Sequence, residues 1–306
     1  TGGDFIDGLR IYLETTGRKM KTAIGIIGVG MLGASLAASL PEERYRRIGW
    51  ARRKEVGAWA VKNGVLDSFC GSVEELLKES DVAVICLPVP TIIEYIQKYA
   101  PAMKEENVIV TDIGSVKGCI EKVALSAGIR FVGSHPMAGT EKSGPEAMVP
   151  GIYGNATVFT VPPFQPDHEA VDAVESMWRS VGGKIMRIDS AAHDLLVAHT
   201  SHVPHIVSSA LALSVLDEPD PVIREQRFAG CASGFRDTIR VAASSPKMWR
   251  DIISHNKTAV IEAINSYEER CALMKRMIQN DDFDGFEREF GLGKTLIEEW
   301  RKEKKW

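Results

Sequence analysis

Three short segments of this chain hold residue types that could do chemistry together. The first is Gly28-Val29-Gly30-Met31-Leu32-Gly33. It follows an apolar run containing Ile24, Ile26 and Ile27 and leads into small and apolar residues at helical spacing. In the order strand, turn, helix, each glycine has a mechanical role. Gly28 makes the tight turn, Gly30 lets backbone approach a pyrophosphate, and Gly33 lets the helix pack on the strand. The phosphates would then meet the unpaired N–H groups and positive dipole end of the new helix, around Met31 and Leu32. The second segment, Thr111 to Lys117, places Ser115 just before a helix, where it serves equally well as an N-cap or as an active-site hydroxyl. The third, Gly133 to Gly144, contains His135 directly before Pro136, which biases the histidine towards extended backbone at a strand end. An imidazole there has the pKa range to take a proton from a hydroxyl while hydride leaves the adjoining carbon. On its own, a strand-end histidine fits a structural role as well.

The elements that must position these residues alternate. After the first helix, Arg46 to Ala51 reads as a strand, Glu55 to Asn63 and Val73 to Glu79 as helices, and Val82 to Leu87 as a buried strand. A helix from Thr91 to about Ala100 and a strand from Val108 to Asp112 follow. Further strands are expected at Phe131 to Ser134, Thr157 to Val161 and Lys184 to Ile188, with a helix from about Asp167 to Val181. Alternating units with near-continuous apolar strands imply a parallel sheet covered on both faces, hence an α/β, Rossmann-type doubly wound fold. From Ser190 onward strand signals stop, and 190–216, 222–243, 246–278 and 281–303 read as helices broken at Pro219, Pro221 and Pro246. The expected organisation is a dinucleotide-binding domain over 20–189 and a helical domain over 190–306. Residues 1–19, ahead of Met20, read as an expression remnant or an upstream extension.

In open parallel sheets ligands bind beyond the carboxyl ends of the strands. Leu87 and Pro88, at one such end, are expected to touch the cofactor. About twenty residues after the glycine turn, where an NAD site places an acidic residue against the ribose, this chain has Ala51, Arg52 and Arg53. Guanidinium groups would pair with a 2′-phosphate, so NADP is favoured, with NAD as the alternative.

Composition excludes other classes. The chain has 306 residues, a formal net charge of -4 and interleaved acidic and basic residues, which argues against nucleic acid or a membrane surface as partner. No apolar run approaches the roughly 20 residues of a membrane span. The five cysteines include no C-x-x-C pair and read as reduced structural thiols of a cytoplasmic protein. His193, His199, His202 and His205 cluster, and two of them stand three apart on a helix. No cysteine or carboxylate completes a ligand set, so no metal is expected. Asp237 and Arg240 share a helical face, where the plain reading is an i,i+3 ion pair.

Taken together, GIIGVGMLGASLA, DIGSVK, SHPMAGTEKSG, SHVPH and ASGFRDTIRVA, in this order over about residues 22–260, resemble the prephenate and arogenate dehydrogenases of tyrosine biosynthesis. The resemblance implies oxidative decarboxylation of a cyclohexadienol. His135 would accept the hydroxyl proton, Ser115 would orient it near the nicotinamide, Arg240 would hold a substrate carboxylate and His205 would be a second substrate-side histidine. It also places Thr140, Glu141, Asp237 and Trp249 at positions that shape and gate the pocket. A homodimer through the helical domain is implied. With the chain closing at Trp306, no appended ligand-sensing domain and no fused mutase are expected, so any tyrosine inhibition should be competitive. The motifs do not separate prephenate from arogenate, though a compact chain of this kind favours prephenate. A β-hydroxyacid dehydrogenase or imine reductase would share the glycine turn but use a lysine in its second domain. An NADP-sensing protein would have no use for His135, Ser115 and Arg240 together.

Overall fold

The computed structural model describes residues 21–139 and 142–304, so the expectations for residues 1–19 and for Thr140 and Glu141 lie outside the described residues. Among these, no helix is long and apolar enough to cross a membrane. Five parallel strands form the main sheet: β1 (Thr22–Ile27), β2 (Tyr45–Trp50), β3 (Ser68–Phe69), β4 (Val82–Ile85) and β5 (Ile109–Asp112), in the order β3-β2-β1-β4-β5. Ile24, Ile26 and Ile27 are all fully buried, as expected of a central strand covered on both faces. The chain leaves β1 towards β2 on one side and returns to β4 on the other. The strand order therefore reverses between β1 and β4, the kind of switch point at whose carboxyl ends open α/β sheets bind their ligands.

Helices α1 (Met31–Ser39), α2 (Lys54–Lys62), α3 (Val73–Lys78), α4 (Val89–Glu105) and α5 (Gly118–Ala127) connect these strands. The two-residue β3 was not anticipated, being too short for any periodicity. Helix α4 is longer than expected at both ends. It tolerates Pro90 in its first turn, where an N–H has no partner to lose, and it continues past Pro101.

A second sheet holds β6 (Gly133–Pro136), β7 (Thr157–Val161) and β8 (Lys184–Arg187), with helix α6 (His168–Ser180) between the last two. The strand expected at Phe131 to Ser134 lies two residues later. Phe131 still bridges Val110 of the first sheet, and Val132 donates to the Val110 carbonyl at 3.0 Å, before the chain turns to pair antiparallel with β7. Trp178 of α6 is fully buried, edge-on to Tyr153 at 5.3 Å.

The four long helices expected after Ser190 are interrupted for local reasons. Helix α7 (Ser190–Val197) passes through a π-helical turn, Ala198–His202, into α8 (Val203–Leu216). Pro204 has no N–H for the ladder and its ring crowds the carbonyl four residues back, so the helix widens there. Helix α9 (Pro221–Gly230) stops before α10 (Ser233–Ile239), because Cys231 and Ala232 are extended, and a 3₁₀ turn follows at Arg240–Ala243. Helix α11 (Pro246–His255) is separated from α12 (Lys257–Gln279) at Asn256, and α13 (Phe283–Lys304) completes the series.

The chain forms two compact units. One runs up to Val197 and takes in Ser244–Asn256, and the other holds Ala198–Ala243 and the chain from Lys257 onward. In this division α7 goes with the sheet unit. His193 and Asp194 are buried within the sheet unit, and Ile252 of α11 belongs to its apolar core.

Candidate active site at the carboxyl ends of the sheet

The glycine turn has the geometry its spacing implies. Gly28 has φ +103, and its N–H donates to the Trp50 carbonyl at 2.8 Å. A Cβ there would stand 2.6 Å from the Cys86 carbonyl oxygen and 2.7 Å from the Leu87 side chain, so the residue must be glycine, and Leu87 lies against the turn. At Gly33 a Cβ would sit 2.2 Å from the Gly28 carbonyl oxygen, which fixes how closely α1 crosses the strand end. Gly30 is different: a Cβ there would meet nothing within 4 Å. The space in front of it, at the start of α1, is open. No side chain caps α1 and no acidic residue stands in its first turn, so the helix start offers bare N–H groups and a positive dipole end. A pyrophosphate fits this cradle.

Around the turn, Pro88 stands at the N-cap of α4, and Arg53 at the N-cap of α2. Arg52 and Arg53 are exposed, and neither has an ion-pair partner among the described residues.

The ends of β5 and β6 form a buried polar platform. Asp112 is fully buried and its carboxylate pairs with the Lys117 ammonium, itself 1% exposed. Asp112 also accepts the Gly114 N–H at 2.8 Å and the Ser134 N–H at 3.1 Å, while the Lys117 ammonium donates to the Ser134 carbonyl at 2.8 Å. The Ser134 hydroxyl bonds to that of Thr111 at 2.7 Å and accepts the Trp178 indole N–H at 3.1 Å. A buried ion pair of this kind adds stability only when its remaining donors and acceptors are satisfied. Here those bonds lock β5 to β6 on either side of the residue preceding His135.

His135 is half-buried, and its Nδ1 lies 2.9 Å from Nε2 of the fully buried His193. His193 Nδ1 in turn lies 2.8 Å from Asp194 Oδ1. The Asp194 carboxylate also accepts the backbone N–H groups of Lys117 at 2.7 Å and Gly118 at 2.9 Å, and so caps α5 from a neighbouring helix. That bond removes one expected role for Ser115: the N-cap of α5 is Lys117, served by Asp194. Ser115 is half-buried beside the platform, and its hydroxyl makes no hydrogen bond among the described residues. The sequence reading missed Asp112, Lys117, His193 and Asp194 as site residues. The first two stood in the DIGSVK segment. The available signal for the others was an adjacent pair of titratable residues at the start of the first helix after the sheet.

The remaining candidates divide between the units. Trp249 lies on α11 and packs against the core of the sheet unit. In the helical unit, His205 on α8 donates Nδ1–H to the Ser201 carbonyl at 2.8 Å, which leaves Nε2 as its other functional nitrogen. Arg240 opens the 3₁₀ turn that packs on α8; it is exposed and has no ion-pair partner among the described residues. The expected Asp237–Arg240 pair does not form. Arg240 keeps helical backbone at the end of α10, but Asp237 pairs with the adjacent Arg236 at 3.1 Å instead.

This arrangement can bind a dinucleotide, hold an imidazole at the sheet's carboxyl ends and present a cation in the helical unit. A family model described as "Prephenate dehydrogenase, nucleotide-binding domain" matches residues 37–187, and one described as "Prephenate dehydrogenase, dimerization domain" matches 189–292. The chain belongs to the prephenate dehydrogenase family. It is 30% identical to a prephenate dehydrogenase of Bacillus subtilis over 90% of this chain and 75% of that protein. It is 29% identical to a cyclohexadienyl dehydrogenase of Zymomonas mobilis over 85% of this chain and 90% of that one. Among solved structures, prephenate dehydrogenase from A. aeolicus, in complex with hydroxyphenyl propionate and NAD+, superposes with a TM-score of 0.84 at 30% identity, over 92% of this chain and 99% of that one. Arogenate dehydrogenase from Synechocystis gives 0.82 at 28%, over 91% and 100%. Membership makes this chain an oxidoreductase with a nicotinamide cofactor.

Proposed function

We propose that the chain oxidatively decarboxylates prephenate to 4-hydroxyphenylpyruvate, with His135 as the base. The observation that carries the reading is the His135 imidazole, anchored through His193 beside the glycine turn's own sheet, in a chain matched across both domains by one family. The nicotinamide, when bound, supplies the acceptor for the hydride from ring C4. His135 takes the proton of the C4 hydroxyl as that hydride leaves. The electron pair of the bond from C1 to its carboxylate then enters the ring, carbon dioxide departs, and the oxygen recovers the proton as a phenol. His135 thus ends each turnover unchanged. Ser115 presents its hydroxyl beside this imidazole and the cofactor. Aromatisation drives the reaction.

Prephenate carries two carboxylates, and burying either without a cation would cost several kcal/mol, on the order of an unpaired polar group or more. Arg240 supplies that cation. His205, through Nε2, adds a polar contact on the substrate side, and Asp237 and Trp249 shape the pocket; the same part is proposed for Thr140 and Glu141, which lie outside the described residues. Gly28, Gly30, Met31, Leu32, Gly33, Leu87 and Pro88 hold the cofactor. The exposed guanidinium groups of Arg52 and Arg53, without an ion-pair partner among the described residues, favour a 2′-phosphate, hence NADP over NAD.

The helical unit completes a homodimer. Its helices expose Phe228, Phe283, Phe290, Leu292, Leu296 and Ile297, each at least 48% accessible, and its family model is described as a dimerization domain.

Arogenate is the second reading, favoured by the likeness to the Synechocystis enzyme. Initial rates with prephenate or arogenate and NAD or NADP, in all four combinations, test both choices. Fastest turnover with prephenate and NADP is expected. A clear preference for arogenate, or for NAD, would overturn the corresponding half of the reading.

A further inference from the structure

We infer that His193 and Asp194 are positioning residues that fix the tautomer of His135, and so decide that Nε2 takes the substrate proton. This role rests on the reading of His135 as the base and deepens it.

The hydrogens can be assigned one bond at a time. The Asp194 carboxylate receives two backbone N–H bonds, from Lys117 and Gly118, at the start of α5, where the unpaired amides and the helix dipole favour an anion. An ionised carboxylate can only accept. His193 Nδ1, 2.8 Å from its Oδ1, must therefore carry the hydrogen. In the neutral ring Nε2 of His193 is then bare and can only accept. His135 Nδ1, 2.9 Å away, must be the donor to it. One arrangement of hydrogens satisfies both bonds with neutral rings, and it leaves the lone pair of His135 on Nε2.

The surroundings hold that arrangement in place. His193 is fully buried and its ring stands edge-on to Phe159 at 5.5 Å, so no water competes for its nitrogens. Asn256 donates its side-chain N–H to the Asp194 carbonyl at 2.8 Å, pinning the residue from the end of α11. The two imidazoles meet at 67°, with centroids 5.1 Å apart. When His135 gains the substrate proton on Nε2, its Nδ1–H bond to His193 becomes charge-assisted and stronger, and the Asp194 carboxylate balances the new charge. The pair gives the base both an orientation and a counter-charge, as a buried carboxylate does directly for the histidine of a hydrolase triad.

Two substitutions at one position separate this role from simple packing. His193→Phe fills the space beside Phe159 but has no acceptor, whereas His193→Gln places an amide oxygen close to where Nε2 stands. The expected order of kcat on prephenate is wild type, then Gln, then Phe. His193→Phe should fall by about 10²-fold, the cost of a misplaced reacting group, with KM and cofactor affinity near wild type. Phe equal to or better than Gln, or both near wild type, would overturn the inference. If neither variant folds, long-range nitrogen–proton NMR spectra of the histidine-labelled wild-type protein decide. Both His135 and His193 should appear as Nδ1–H tautomers, and His135 as the Nε2–H tautomer would refute the relay. His135→Asn assayed in parallel keeps the two ideas apart. If that variant turns over normally the base reading fails, whereas an inert His135→Asn with an unaffected His193→Phe defeats the relay alone.

Discussion

The sheet unit and the helical unit differ in how much of their chemistry is complete within one chain. Around β5 and β6 nearly every polar group has a partner: Asp112 with Lys117, Ser134 with Thr111 and Trp178, His193 with Asp194. In the helical unit, by contrast, few side chains are buried, Val203, Val260 and Ala263 among them, while Leu213, Val222, Phe290 and Leu296 stand more than half exposed. Arg240 likewise lacks an ion-pair partner among the described residues. The sheet unit holds the His135 imidazole through bonds that are complete within it. In the proposed function a dicarboxylate at Arg240 and a second copy along the apolar helices supply the partners that these exposed groups lack among the described residues.

The largest effect expected from breaking this contrast is at Arg240. Arg240→Ala removes a charged hydrogen-bond donor, an interaction worth about 1.5 to 3 kcal/mol, and should raise KM for prephenate by about 10- to 100-fold while leaving kcat within a few-fold. Steady-state kinetics check this; an unchanged KM would mean that the exposed guanidinium has another purpose. Next, Phe290→Glu should weaken the dimer by about tenfold or more, because burying a phenylalanine contributes on the order of 1.5 to 3 kcal/mol. Sedimentation velocity at a series of concentrations reads it, and a wild-type chain that remains monomeric throughout would remove the basis of the contrast.

The smallest effect belongs to the sheet unit. Burial pushes the Glu175 carboxyl up, but hydrogen bonds from Arg187 and Arg179, both at 2.6 Å, outweigh it and hold the group below the ordinary glutamate range. A carboxylate whose folded pKa is depressed stabilises the fold fully above its unfolded value, and that contribution fades as pH falls through the folded one. Glu175→Gln should therefore lower stability at neutral pH by about 1 kcal/mol, since both arginines are more than half exposed and solvent screens them. The variant should also flatten the loss of Tm on acidification below the glutamate range. Thermal melts across that range test both parts.

How much could be read in advance follows from how local each feature is. The roles of Gly28, Gly30 and Gly33 depend on a strand, a turn and a helix that are contiguous in sequence, and the geometry at Gly28 and Gly33 follows suit. Strands with near-continuous apolar runs were equally legible, to within a residue or two. What periodicity could not supply were contacts between distant segments. His135 and His193 are 58 residues apart, and Asp194 caps a helix whose first residue lies 76 positions earlier. For the same reason a cap stood beside an active-site hydroxyl as an equal role for Ser115, since sequence offered no sign that the cap would come from elsewhere. The long helices after Ser190 were overextended because Pro204 and Asn256 act through the carbonyls they crowd or recruit rather than through composition.

The most direct test is a single-turnover comparison of wild type and His135→Asn, with saturating prephenate and the preferred oxidised cofactor, following reduced nicotinamide and carbon dioxide together. The wild-type protein should form the two in equal amounts. The variant should form both more slowly by about 10² to 10⁴, the usual contribution of a positioned base, with cofactor and substrate affinities little changed. A His135→Asn protein that turns over at the wild-type rate would contradict the account.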